Sequence, residues 1–327
     1  MPDNLTLADS FGYPSNARPG VSFPVARLVF MLHLGTGMVA KLLINPFRSH
    51  EAGHIVELHP ELRENDIFLA DRAFCSYAHL CLLIAKGAHG LIRMNQKMLP
   101  SFPTKKKGVR AIFPEPHRKP EGRVPLKLLG KTDHVVQWKK PGKKPRFMTA
   151  EEYKELPGTI TIRELLYKIH RKGFRSSEII VLTTLLDGKR YTAKKIAELY
   201  KIRWEIETNF NHLKTTMKMD ILKSKTTHGI IRELYAYCIL YNLVRLVMLQ
   251  AAKKQRTQAN RISFIDALRW LASAIPETQI IPLQTVPYRP GRFDPRSRKR
   301  RPKGGYPYAM LPRFELRKKK LSECFTR

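Results

Sequence analysis

Apolar residues gather over 21–34 (VSFPVARLVFMLHL), pause at Gly35-Thr36-Gly37, and resume over 38–44 (MVAKLLI). Two strands joined as a hairpin are predicted there. The mixed pattern over 50–63 predicts a helix, and Asn65-Asp66 breaks it. Ile67-Phe68-Leu69-Ala70 then predicts a short buried strand that ends at Asp71. A helix from Tyr77 to Lys86 and a strand from Gly90 to Met94 follow. Strands succeeded by alternating helix and strand predict an α/β sheet.

Residues 95–157 differ in character. They carry KKK at 105–107, His117-Arg118-Lys119, Lys139-Lys140, Lys143-Lys144 and many prolines, with strand-like pieces at Asp133–Trp138 and Thr159–Ile162. This predicts a basic, β-rich insertion, after which 178–186 (EIIVLTTLL) returns to the main sheet. A long helix is predicted from Ala193 to Met217, with further helices over 228–253 and 263–273. The most apolar stretch, Leu234–Met248, is interrupted by Arg245 and preceded by Arg232-Glu233. It predicts a buried helix rather than a bilayer span, which needs a longer uncharged run. Met1–Gly20 is polar and rich in turn formers, unlike a signal or transit peptide. The resulting organisation is a first core segment (1–94), the insertion (95–177), a second core segment with C-terminal helices (178–285) and a basic tail (286–327).

Charge changes the picture most. Lys and Arg number 60 against 27 Asp and Glu, a formal net charge of +33. Such an excess repels itself in the folded state, and a polyanion relieves that repulsion, so nucleic acid is the leading partner. A membrane partner would call for a basic amphipathic helix or a lipidation motif, and neither is found. Cys75, Cys81, Cys238 and Cys324 form no CxxC pair. They read as free thiols in a reducing, cytoplasmic setting.

The helix from 199, LYKIRWEIETNFNHLK, carries the chemistry. On an α-helical wheel Tyr200, Arg203, Glu207 and Lys214 fall within a sector of about 60°. That sector borders an apolar stripe of Leu199, Ile202, Ile206, Phe210, Leu213 and Met217. An ordinary amphipathic helix with a solvated edge would account for the wheel alone. The spacing Tyr-x2-Arg-x3-Glu-x6-Lys is more specific. It resembles the Tyr-Arg-Glu-Lys signature of DDE transposases of the insertion-sequence-four family. Phe11-Gly12, Gly20–Arg27 (GVSFPVAR), Leu69–Tyr77 (LADRAFCSY) and Lys299–Lys303 (KRRPK) resemble the same family.

The resemblance implies a ribonuclease-H-like α/β core, a mixed sheet flanked by helices, with an inserted basic β-rich region and a helical C-terminal region. It implies cleavage and strand transfer of DNA phosphodiesters at transposon ends with two Mg2+ or Mn2+ ions. Asp71 and Glu207 are then metal-holding catalytic carboxylates, and Arg72, Tyr200, Arg203 and Lys214 contact DNA. The partners implied are the inverted-repeat ends and target DNA, with a homodimer pairing two ends near the bacterial nucleoid. The first aspartate of the family sits in an Asp-Gly-Thr-like segment shortly before one that Pro2-Asp3-Asn4 resembles. It is therefore expected upstream of Met1, leaving the chain inactive as written, and Asp3 and Asp9 follow no predicted strand.

Two other classes compete. His50-Glu51-Ala52-Gly53-His54 fits the zinc-protease pattern, in which two histidines on one helical face ligate zinc beside a general base. No third ligand follows at the usual spacing, and the charge does not suit a general protease. A non-catalytic DNA-binding remnant is the other class. Trp138, between Val135-Val136 and Lys139-Lys140, is expected to pack in the insertion or to stack on an unpaired base near the cleaved end. His33, His50 and His54 are otherwise expected to be structural.

Overall fold

The computed structural model describes residues 1–14, 23–95, 98–102, 122–169, 177–275, 279, 281–287, 315 and 318. The lysine run at 105–107, His117-Arg118-Lys119, Gly20-Val21-Ser22 and nearly all of the basic tail lie outside them. The elements in chain order are α1 (Leu5–Phe11), β1 (Ala26–His33), β2 (Met38–Pro46), β3 (Ile67–Ala70), α2 (Tyr77–Ala85), β4 (His89–Arg93) and β5 (Arg123–Gly130). Then come β6 (Asp133–Lys139), α3 (Ala150–Glu155), β7 (Thr159–Ile169), β8 (Ser177–Thr183), α4 (Ala193–Asn211), α5 (Thr227–Lys254) and α6 (Phe264–Ser273). The chain forms two units, one of Met1–Ser49 with Thr208–Arg327 and one of His50–Glu207.

In the first unit β1 and β2 pair antiparallel as the expected hairpin, with a bulge between Met31 and Leu32. Gly37 turns at φ 72°, a left-handed angle that favours glycine. A Cβ there would also strike the Arg245 guanidinium. Arg245, the charge inside the apolar stretch, is 5% exposed. Its Nε and Nη2 donate to the Thr36 carbonyl at 2.9 and 2.7 Å. Tyr241 donates to the Gly37 carbonyl (2.9 Å), and Asn242 bonds both the N–H and the C=O of Val39. Buried polar groups need such partners. Here they lock α5 to the hairpin turn.

α5 matches the helix expected over 228–253, and by length and composition alone it could cross a membrane. Its Ile230, Leu234, Tyr241, Val244 and Met248 instead form the core of the unit with Leu7, Phe11, Leu42 and Phe264. The short helix α1, not predicted from the sequence, starts where the Asn4 side chain accepts from the Leu7 N–H (2.8 Å). It buries Leu7 and Phe11.

The second unit is built on one six-stranded sheet, ordered β3-β4-β8-β7-β6-β5. β3 and β4 run parallel, and every other neighbouring pair is antiparallel. The strands expected to form an insertion, β5 to β7, thus continue the same sheet through β8. Arg163 of β7 and Asp133 of β6 meet inside it, with Nε–Oδ1 and Nη2–Oδ2 both 2.6 Å. Residues 51–53 and 55–61 form 3₁₀ turns where an α-helix was expected. Gly53 and Pro60 within that stretch both disfavour a continuous α-helix. The long helix predicted from Ala193 to Met217 divides as well: α4 ends at Asn211, and 212–216 form a π turn.

Candidate active site

β3 delivers Asp71 to the carboxyl end of the sheet, where ligand sites gather in α/β folds. Asp71 caps a 3₁₀ turn over Arg72–Phe74, its Oδ1 accepting from the Arg72 N–H at 2.8 Å. The parallel register pairs Ala70 with Ile92, so Arg93 ends β4 beside Asp71. Arg93 Nη1 lies 4.0 Å from Asp71 Oδ1, with the carboxylate 43% exposed. That pair is open enough to be weak, and it leaves Asp71 free to take other partners.

α4 lies across the same end. Ile196 and Tyr200 pack into a cluster with Leu91, Leu165, Tyr167, Ile179 and Val181. Tyr200 is fully buried, so its ring belongs to the core rather than to the solvated edge that the wheel assigned it. Its hydroxyl donates to the Ala70 carbonyl at 3.4 Å, directly before Asp71. Burial pushes the Tyr200 phenol well above its ordinary range. Arg203 pulls it down, and the Asp71 charge adds to the rise. Burial likewise pushes Tyr167 up to about 12, against Arg203 and Arg93. Neither phenol ionises near neutrality: Tyr200 acts as shape and as a hydrogen-bond donor, whereas the Tyr167 hydroxyl is buried with no partner.

Arg203 is held between aromatic rings. Its guanidinium lies 5.6 Å from the ring centroids of both Tyr200 and Trp204. Nη2 lies 3.8 Å from Glu207 Oε1, one turn along, with the arginine side chain 13% exposed and the carboxylate 60%. The Arg203 Nε–H is buried with no hydrogen-bond partner. A charged donor kept dry and unmatched is costly. Asp71, Tyr200, Arg203 and Glu207 are therefore joined by one series of contacts. Arg93, Tyr167 and the half-exposed Trp204 belong with them and were not singled out in the sequence. Only the strand register exposes Arg93 and Tyr167, whereas Trp204, directly after Arg203, was open to notice.

The other predicted residues lie elsewhere. Arg72 adjoins Asp71, and its main-chain N–H is what meets the carboxylate. Lys214 is in the π turn and in the other unit, where the α-helical phase used to align it with Glu207 no longer holds. Trp138 is 4% exposed, with Tyr77 edge-on at 5.4 Å and the Arg123 guanidinium 5.4 Å from its centroid. Stacking on a base would require the ring to leave that packing. Asp3 accepts from the Tyr13 hydroxyl (2.9 Å), and Asp9 is exposed on α1.

Asp71 and Glu207 offer exposed carboxylate oxygens, a donor type that suits hard divalent cations. Mg2+ is commonly held by one or two carboxylates together with substrate oxygens. Among the described residues no group of three or more His, Cys, Asp or Glu side chains could hold a metal. The zinc-protease pattern loses its geometric basis. Residues four apart lie about 40° apart around an α-helix but about 120° apart around a 3₁₀ helix. His54 Nδ1 is also engaged by Glu57 at 2.6 Å.

The site is thus a mixed sheet with an aspartate at a strand end, braced by a helix with an Arg-x3-Glu pair. The chain belongs to the transposase DDE-domain family, which matches residues 5–243. It is similar to the transposase InsG of insertion sequence element IS4 from Escherichia coli (strain K12), with 25% identity over 272 residues, 81% of this chain and 54% of InsG. It is also similar to the putative transposase InsL of IS186A from the same organism, 32% identical over 73 residues, 20% of each chain. The chain thus spans about half the length of InsG. A cryo-EM structure of the piggyBac transposase synaptic complex with hairpin DNA aligns with a TM-score of 0.38 and 12% identity, over 85% of this chain and 53% of that one.

Proposed function

We propose that this chain carries the catalytic core of an insertion-sequence transposase that cuts and joins DNA phosphodiesters at the element's ends. One observation carries the reading: the strand end bearing Asp71 is tied to the helix bearing Glu207 through the Tyr200 hydroxyl and the Arg203 guanidinium. Asp71 and Glu207 would hold divalent cations, Mg2+ or Mn2+, two of them where a third carboxylate completes the site. When bound, such ions activate the attacking water or DNA 3′-hydroxyl and stabilise the leaving oxygen. Arg203 receives a non-bridging phosphate oxygen on the accessible edge of its guanidinium, whose planar fork suits that anion. Arg93 and Arg72 add positive charge along the phosphate path. Tyr200 holds α4 at a fixed distance from the end of β3. The substrate is double-stranded DNA, a polyanion favoured by the chain's net charge of +33. A homodimer pairs the two ends, in the cytoplasm at the nucleoid.

The core is read as ribonuclease-H-like, with its first catalytic aspartate outside these residues. Among the described residues β3 has a neighbour on one side only, and an open edge accepts another strand. A strand lying parallel to β3 there would end beside Asp71 and could supply the third carboxylate. On this reading these 327 residues bind DNA but do not cut it, which is also the behaviour of a DNA-binding remnant.

The test compares this chain with a longer reading frame in Mg2+-dependent nicking of end-containing DNA. Asp71→Asn and Glu207→Gln serve as controls in the longer form. Nicking by the longer form alone, abolished by either substitution, is expected. Equal nicking by both forms refutes the missing carboxylate, and nicking that survives both substitutions refutes the site.

A further inference from the structure

α2 is an apolar helix with one exception. Tyr77, Ala78, Leu80, Cys81 and Leu83 are buried along it, and so is His79, at 0% exposure. A buried imidazole is costly unless its nitrogens are bonded. Only one is. Nδ1 lies 3.0 Å from the Phe74 carbonyl, and because a carbonyl only accepts, Nδ1 carries the proton. Nε2 is left as a buried lone pair with no partner. An apolar side chain would avoid that cost, so what His79 contributes is the bond to Phe74.

That bond falls on the turn that aims Asp71. Within it the Arg72 N–H donates to Asp71 Oδ1 (2.8 Å), the Phe74 N–H to the Asp71 carbonyl (3.0 Å) and the Cys75 N–H to the Arg72 carbonyl (3.2 Å). Ser76 Oγ then accepts the His79 N–H at 3.2 Å as α2 begins. The ring itself is braced on both sides. It stacks on His59 with centroids 4.9 Å apart and meets Phe68 of β3 edge-on at 5.4 Å. His79 thus joins the strand before Asp71, the turn after it and the following helix.

We propose that His79 is a positioning residue for the Asp71 carboxylate: through the Phe74 carbonyl it fixes the turn Arg72–Phe74, and with it the direction in which Asp71 presents its oxygens. The consequence for metal binding rests on the reading of Asp71 as a ligand, whereas the placement of the turn does not. His79→Asn keeps a donor where Nδ1 stood, His79→Gln puts its donor at the Nε2 end, and His79→Leu has none.

The experiment is amide hydrogen exchange on the full chain, read at Arg72, Phe74 and Cys75, with Mn2+ binding followed by the spectroscopic signal of the free ion. The Arg72 amide reports the carboxylate directly, because Asp71 Oδ1 is its acceptor. Exchange at these amides is expected to rise about tenfold in His79→Leu, as for one lost hydrogen bond, while β4 stays protected. His79→Asn is expected to restore the protection. Mn2+ affinity is expected to fall about tenfold in His79→Leu and to recover in His79→Asn, as for outer partners of metal ligands. Unchanged exchange in His79→Leu, or equal exchange in the Asn and Gln variants, overturns the proposal. If His79→Leu unfolds the unit, seen as exchange throughout β4, the Asn and Gln pair decides alone. If Asp71→Asn binds Mn2+ like the unaltered chain, the ligand reading of Asp71 fails, and the exchange data still decide the role of His79.

Discussion

Lowering the pH from 7.5 to 5 is expected to destabilise the second unit by about 4 kcal/mol through two histidines alone. His59 and His79 stack in the interior. Burial lowers His59 from 6.5 to about 4, helped by Lys86, and lowers His79 from 6.5 to about 3, helped by His59 and opposed by the Phe74 carbonyl. Both rings stay neutral in the folded chain at pH 5, while both are protonated in the unfolded chain. The unfolded state therefore binds two more protons, and stability is fully present above pH 6.5 and falls as the pH drops toward 4. At pH 5 each ring accounts for about 2 kcal/mol, from 1.36 kcal/mol per pKa unit over about 1.5 units. Set against a total of about 5–15 kcal/mol for a domain, that loss is large. Urea unfolding followed through Trp138 fluorescence, in a Trp204→Phe/Trp270→Phe background, reads it in this unit. A His59→Gln/His79→Asn chain is expected to lose the dependence. A loss below about 1 kcal/mol, or the same slope in the double variant, would refute the reasoning.

Asp133→Ala leaves the Arg163 guanidinium buried without its carboxylate and is expected to cost about 3–5 kcal/mol in urea unfolding. Asp133→Leu with Arg163→Met is expected to recover most of it, and equal loss in both would point to packing instead. Tyr200→Phe removes only a long hydrogen bond of 3.4 Å and is expected to change stability by about 1 kcal/mol or less. Tyr200→Ala empties a fully buried site and is expected to cost about 3–5 kcal/mol, so similar losses would contradict the packing described. Chelation with EDTA is expected to leave the melting temperature unchanged and to release no stoichiometric zinc; a fall would indicate a structural metal.

The sequence was most legible where one local signal decided the outcome. Ile67–Ala70 is four apolar residues between Asn65-Asp66 and Asp71, and it forms β3 as expected. The hairpin, α2, β4 and α5 also follow from local pattern. The spacing of Arg203 and Glu207 likewise survives, because both sit on one regular helix. Tyr200 was misplaced because a wheel ranks side chains by polarity. A phenol can bury its ring while its tip meets a carbonyl, so α4 turns Ile196 and Tyr200 to the sheet and leaves Leu199 and Ile202 half-buried. Lys214 slipped because the wheel assumed an α-helical repeat through a π turn. The continuity of β5–β7 with β8 depends on pairings between strands remote in sequence, and periodicity does not register them. The neighbourhood of Arg93 and Asp71 depends on a parallel register and was hidden for the same reason.

Arg245 has a consequence beyond its bonds to the hairpin turn. While a ribosome is still extending the chain, the 28 residues of α5 resemble cargo for the translocon, which sorts segments by hydrophobicity. An arginine within such a segment raises its insertion free energy, by up to about 2.5–3.5 kcal/mol when it sits at the centre. The same side chain that closes onto Thr36 once the protein has folded thus weighs against misrouting of the nascent segment into the lipid phase beforehand.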